Sequence, residues 1–156
     1  MSSVTLRPMT VEEFDAWVPG AIEEYANDHI RAGSRPADTA LESSKKEFAK
    51  LLPDGVATVG HHLLIAEDGA DYVGLLWLNI PEGEPVPRVF VYNVVVDESQ
   101  RGKGYGRAIM LAAEPYARQH GADTIRLHVF GDNTVARGLY ESLVYVATNI
   151  NMAKPL

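Results

Sequence analysis

The residues best suited to chemistry gather between positions 101 and 140. Arg101-Gly102-Lys103-Gly104-Tyr105-Gly106-Arg107 places three glycines at alternate positions and three cations within seven residues. Glycine lets a backbone turn tightly and approach a ligand closely. A helix beginning there would add unpaired N–H groups and the positive end of its dipole. Together these features suit a phosphate. The chain as a whole carries a formal net charge of −7, so the local reversal of sign calls for a local anion. A plain strand-to-helix turn with solvated basic side chains would have the same glycine spacing. Two nucleotide motifs are set aside. The dinucleotide fingerprint needs Gly-x-Gly-x-x-Gly, and the P-loop ends in Gly-Lys-Ser/Thr.

Further along, Asn133 stands in Asp132-Asn133-Thr134, a run of capping residues. It reads either as a helix N-cap or as a ligand contact. Tyr140 reads as a core residue or as a proton donor. His61 and His62 are adjacent, so in a strand they face opposite sides and cannot easily share a metal. No metal site is expected. His128 falls in a central strand near the expected cleft, where it reads as a core or cleft-lining residue or as a participant in proton transfer. Trp17 and Trp77 read as core. The chain has no cysteine, which removes disulfides, thiolate zinc sites and a cysteine nucleophile.

The elements around these residues follow from periodicity. Val4 to Arg7 reads as a short strand. Thr10 and Glu13 have the spacing of a capping box. Phe14, Trp17 and Val18 continue a helix, Pro19-Gly20 interrupts it, and Ile22, Tyr25, Ala26 and Ile30 resume it. Leu41, Phe48, Leu51 and Leu52 fit one face of a second helix, which Pro53-Asp54-Gly55 ends. His61 to Ala66 and Tyr72 to Ile80 read as strands joined by an Asp68-Gly69 turn. Val89 to Val96 is a β-branched run suited to a buried central strand. A helix from Gly104 to His120 follows, with a kink expected at Pro115 and a stop at Gly121. Thr124 to Phe130 reads as a strand, Asn133 to Leu143 as a short helix, and Tyr145 to Met152 as a last strand. The fold class expected is α/β, a single domain over residues 1–156 around one mixed sheet.

Bulk properties agree. A chain of 156 residues with 46% hydrophobic and 22% charged residues can bury one core without staples. Its acidity argues against a nucleic-acid partner. The opening residues lack a signal peptide's apolar stretch, and no run of apolar residues is long enough for a membrane span. A cytoplasmic setting without a membrane partner is the expectation.

The glycine loop and the later helix together resemble the GNAT superfamily of acyl-CoA-dependent N-acyltransferases. The family's Arg/Gln-x-x-Gly-x-Gly/Ala motif is matched by Arg101-Gly102-Lys103-Gly104-Tyr105-Gly106. Its second signature, Asn, Ala and Leu-Tyr on a short helix, is matched by Asn133, Ala136, Leu139 and Tyr140. The similarity is strongest from Arg88 to Met152. The resemblance implies a mixed central sheet splayed in the middle, with acetyl-CoA as co-substrate in the gap. It implies that the backbone of Val94, Val95 and Val96 pairs with the pantetheine arm. It also implies that Arg101, Gly102, Lys103, Gly104, Tyr105, Gly106 and Arg107 cradle the pyrophosphate. Asn133 would contact the pantetheine or phosphate end, and Tyr140 would protonate the departing thiolate. A backbone N–H near Val95 would serve the oxyanion.

Two departures stand out. Relatives often carry an acidic residue on the central strand where this chain has Tyr92 and Asn93. A glycine common after the tyrosine's helix is replaced by Val144, and valine disfavours positive φ, so a reshaped turn is expected. The acceptor amine is unnamed by the sequence. Glu12, Glu13, Asp15, Glu23, Glu24 and Asp28 lie between Arg7 and Arg31 with no intervening cation. They read as a solvated helix face or as an acidic mouth for a cationic amine such as a polyamine, an aminoglycoside or a lysine side chain. A CoA-binding module without catalysis is the competing function, and exposed edges leave a homodimer open.

Overall fold

A computed structural model describes residues 3–156. Five strands form one sheet in the order β1 (Thr5–Pro8), β2 (His61–Asp68), β3 (Asp71–Asn79), β4 (Arg88–Val96) and β5 (Thr124–Leu127). The first three neighbouring pairs are antiparallel, and β4 with β5 is parallel. Helices α1 (Val11–Arg31) and α2 (Ala40–Leu51) precede β2, α3 (Tyr105–Gln119) joins β4 to β5, and α4 (Thr134–Ser142) follows β5.

Strand alternation sorts the core into two layers. Leu63, Ile65, Leu75 and Trp77 face Ala21 and Phe48 of the first two helices. Leu64, Ala66, Leu76 and Leu78 face Ile109, Met110 and Ala113 of α3 and Tyr140 of α4. Both faces of the central strands are therefore covered, as their nearly continuous apolar runs require.

Pro19 does not interrupt α1, which is one helix through Pro19-Gly20. Asp15, whose carbonyl loses its helical donor, is exposed, as is Pro19, so water can serve the carbonyl. Phe14, Trp17, Ile22 and Tyr25 pack against the same cluster and hold both halves in register. Pro115 likewise lies on an exposed side of α3, above exposed Leu111. On α2 the buried positions are Ala40, Ser44 and Phe48, while Leu41 is 43% exposed. The helix is rotated so that Ser44 donates to the Ile22 carbonyl at 2.7 Å, a contact that hydrophobic spacing could not reveal.

The last expected strand is absent. Residues 145–156 join no strand pair, and Val146, Ile150 and Met152 are 77%, 76% and 92% exposed. Their alternation is that of a strand, but alternation names a face to be buried and cannot supply the edge to bury it against. Strand β5 also stops at Leu127 rather than Phe130. It pairs with β4 only from Arg88 to Val91, after which the two diverge. That divergence is the splay in the sheet.

Candidate active site

Where β4 and β5 part, a cleft of about 400 Å³ opens. Tyr92, Asn93 and Val94 form one wall, and His128, Val129 and Phe130 the other. Asn133, Ala136 and Tyr140 of α4 line it, as do Glu24, Tyr25 and Asp28 of α1 and Glu47 and Phe48 of α2.

The phase of β4 decides which backbone groups reach the cleft. The Asp97 amide donates to the Val73 carbonyl at 2.9 Å. Alternation then turns the polar groups of Val95 toward β3, and those of Val94 and Val96 toward the side β5 has left. The free donors therefore flank Val95 instead of belonging to it. A bulge lies next to them. Trp77 is opposite Asn93 and Leu78 opposite Val91, so Tyr92 is the extra residue. Its ring stacks on Trp77, with centroids 4.8 Å apart and planes 23° from parallel. It remains 39% exposed.

The glycine loop leads from β4 into α3. Gly102 and Gly104 have φ of 77° and 84°, and Gly104 is the N-cap of α3. No atom lies within 4 Å of a Cβ placed at either, so the torsion itself demands glycine. Gly106 has an ordinary torsion, and its missing Cβ lets Leu139 and Val96 come within 3.4 and 3.7 Å of that point. The first helical bond runs from the Ala108 amide to the Gly104 carbonyl, leaving the amides of Tyr105 to Arg107 without helical partners. The cations around the loop are already positioned. Arg101 Nε reaches the Val96 carbonyl at 3.4 Å, Lys103 donates to Gln100 at 3.0 Å, and Arg107 donates to Ser142 at 2.9 Å. The Tyr105 hydroxyl donates to Asp68 at 2.7 Å and ties α3 to the β2–β3 turn.

Asn133 caps α4, its side-chain oxygen accepting from the Ala136 amide at 3.2 Å, and it also borders the cleft. Among the described residues the side-chain NH₂ makes no hydrogen bond. Tyr140, 9% exposed, lines the same cleft, and burial pushes its hydroxyl pKa above the ordinary value. Tyr145, with its ring 5.9 Å away, is pushed up to about 12 by burial first and then by Glu114 and Tyr140.

The turn after α4 is not reshaped. Val144 itself takes φ of 71°. Its amide donates to the Glu141 carbonyl and that of Tyr145 to the Tyr140 carbonyl, each at 3.0 Å. These are the two bonds of a Schellman motif, made with valine at the glycine position.

Of the six acidic residues on or near α1, Glu24 and Asp28 line the cleft. Glu13 pairs with Arg7 at 2.9 Å instead. Glu47 joins the cleft group from α2, a neighbour only tertiary packing reveals. Asp28 is paired with Arg31 and Glu47 with Arg35, whereas Glu24 makes no ion pair among the described residues. His61 accepts from Trp77 Nε1 at 2.9 Å, and His62 lies 2.6 Å from the Tyr116 hydroxyl, so they do face opposite sides. Gly74 is a further position that sequence reading passed over. A Cβ there would lie 2.0 Å from the Val95 carbonyl oxygen, so β3 and β4 approach closely beside the cleft. A glycine inside a strand was the available signal.

The acetyltransferase (GNAT) family model matches residues 22–144. YycN of Bacillus subtilis (strain 168), described as an uncharacterized N-acetyltransferase, is 35% identical over 99% of both chains. Its crystal structure superposes with a TM-score of 0.94 over 99% of each chain. YdgE of the same organism, described in the same terms, is 33% identical over 97% of this chain and 98% of its own. A mycothiol acetyltransferase of Nocardiopsis dassonvillei is 32% identical, and there this chain spans about half of the relative's length, 46%. The chain belongs to the GNAT acetyltransferase family and is an acyltransferase. Among the described residues no helix is long and apolar enough to cross a membrane.

Proposed function

We propose that this single domain transfers an acetyl group from acetyl-CoA to a primary amine of a cationic acceptor, a small molecule or a peptide. The observation that carries the reading is the continuity of one cleft. It runs along the open side of Val94, past Asn133 and Tyr140, and on to Glu24 and Asp28, with Val96 and the left-handed glycine loop following where β4 ends.

The residues present suit acetyl-CoA. The outward-turned backbone of Val94 and the Val96 amide offer an extended arm a strand-like partner, the Val96 carbonyl being already met by Arg101. The amides from Arg101 to Arg107, with the cations of Arg101, Lys103 and Arg107, suit its pyrophosphate, and the NH₂ of Asn133 suits the arm or the phosphate end. Acetyl-CoA supplies an activated thioester. A neutral amine attacks its carbonyl, forming a C–N bond as the C–S bond breaks, while the amine loses one proton and the sulfur gains one. The N–H of Val94 or Val96 faces the charge that develops on the carbonyl oxygen. Tyr140, a phenol that is protonated at neutral pH and whose pKa burial raises further, holds the proton for the thiolate. Neither Tyr92 nor Asn93 can take the amine's proton, so its exit runs through water, His128 or a carboxylate of the acidic wall.

The test is thermal unfolding with and without acetyl-CoA. At about 100 times Kd, binding should add about 2.7 kcal/mol, a shift of several degrees at this chain length. Gly104→Val should abolish it. No shift at millimolar acetyl-CoA would end the reading. The absence of an acid at Tyr92 and Asn93 favours a second reading, a CoA-binding module without catalysis. Tyr140→Phe separates the two: in an enzyme it retains acetyl-CoA affinity and lowers kcat about a hundredfold. We place the protein in the cytoplasm, free of metal, membrane and nucleic acid. The open edge of β5 beside residues 145–149 would accommodate a second copy in a homodimer, which sedimentation would detect.

A further inference from the structure

We infer that the acceptor is an arylalkylamine, one ammonium group on a short chain bearing a flat aromatic ring. The inference rests on the acetyl-transfer reading and adds the class of molecule. Seven of the thirteen Phe, Trp and Tyr residues line the cleft. Trp77, Phe90 and Tyr92 come from the sheet, Tyr25 and Phe48 from the helices, and Phe130 from the far wall. Trp77 and Phe48 are buried and serve the core as well, but Phe90 and Phe130 are only half-buried and Tyr92 is exposed. The bulge puts Tyr92 there. It is the unpaired residue of β4, its ring backed by Trp77 at 4.8 Å and by Phe90 edge-on at 4.9 Å. Partly exposed rings in a concave site mark a place where a ligand covers apolar surface, and aromatic surface favours a stacked ring or a cation.

Charge narrows the class. Arg35 pairs with Glu47, and Arg31 is shared between Asp28 and Asp132, so Glu24 is the carboxylate of the cleft group that has no ion pair among the described residues. A polyamine would bring several ammonium groups against rings and one unpaired carboxylate. An amino acid would set its own carboxylate against Glu24. A plain alkylamine would leave the exposed ring surface of Tyr92 without a flat partner.

Calorimetric titration of 2-phenylethylamine, tryptamine, hexylamine, spermidine and phenylalanine decides it, using both free protein and protein saturated with CoA. The two aryl amines should bind at least about tenfold more tightly than hexylamine or spermidine, and phenylalanine more weakly than 2-phenylethylamine. Tyr92→Leu, or Phe130→Leu if the first fails to fold, should weaken aryl amines about tenfold and leave hexylamine unchanged. Equal binding of hexylamine or spermidine, an equal loss for every amine in the variants, or no aryl-amine binding in either form would overturn the inference. CoA binding is measured in the same titrations. Its loss alongside a retained aryl-amine preference would overturn the acetyl-transfer reading and leave the class of ligand standing.

Discussion

Replacing Val144 with glycine should stabilise the protein. Val144 closes α4 with φ of 71° and makes both bonds of the Schellman turn. A left-handed torsion costs an L-residue about 1–2 kcal/mol, with a β-branched side chain toward the upper end because it crowds the backbone. Glycine removes that strain. It also loosens the unfolded chain, which offsets about 0.5–1 kcal/mol. The valine side chain is 85% exposed, so little burial is lost. The net expectation is a gain of about 0.5–1 kcal/mol, or a rise in Tm of about 1–4 °C for a chain of this length. Urea unfolding should show a higher midpoint with an unchanged slope. Val144→Ala retains a Cβ and should gain less than glycine. Because the turn already has its closed geometry, the acetyl-CoA KM and kcat should stay the same. A Val144→Gly protein less stable than the parent, or no more stable than Val144→Ala, would refute the reasoning.

Gly74→Ala would drive a Cβ to within 2.0 Å of the Val95 carbonyl oxygen. It should destabilise the protein by about 1–3 kcal/mol through overpacking, measured by urea unfolding. Acetyl-CoA should also bind more weakly, because β4 must shift. His29, His61 and His62 all have pKa values lowered from the ordinary value of 6.5, chiefly by burial. The unfolded chain therefore binds more protons than the folded one in the window below pH 6.5. The stability they contribute is fully present above that value and is lost as pH falls through their folded values. Tm should fall between pH 7 and pH 5, and His62→Gln should flatten part of that slope. Tyr140 and Tyr145 titrate with the opposite sign, since the fold retains their protons. Stability should fall as pH rises from about 10 toward the Tyr145 value of about 12, and less so in Tyr145→Phe.

Much of this architecture was legible because it is local. Strand periods placed β2, β3 and β4 within two residues, and the alternate glycines marked a tight turn into a helix, which the structure makes with left-handed torsions at Gly102 and Gly104. The family signatures placed Tyr140 and Asn133 on one short helix. What periodicity could not supply is partnership. It could not say that 145–152 pairs with no strand, that β5 ends where β4 leaves it, or that Pro19 is tolerated because its side of α1 faces water.

The sequence by itself determined the chemistry available: a backbone able to hold an anion, a tyrosine able to give a proton, and no cysteine to form a covalent intermediate. Tertiary structure alone decided where these meet. Turning Val94 and Val96 outward depends on the β3–β4 register. The bulge that presents Tyr92 is a mismatch between two strands and belongs to neither. Glu47 joins Glu24 because α2 packs across α1. The reason is physical. Residue type sets what a group can do, whereas distance, phase and burial are properties of pairs of segments, and a single segment does not contain them.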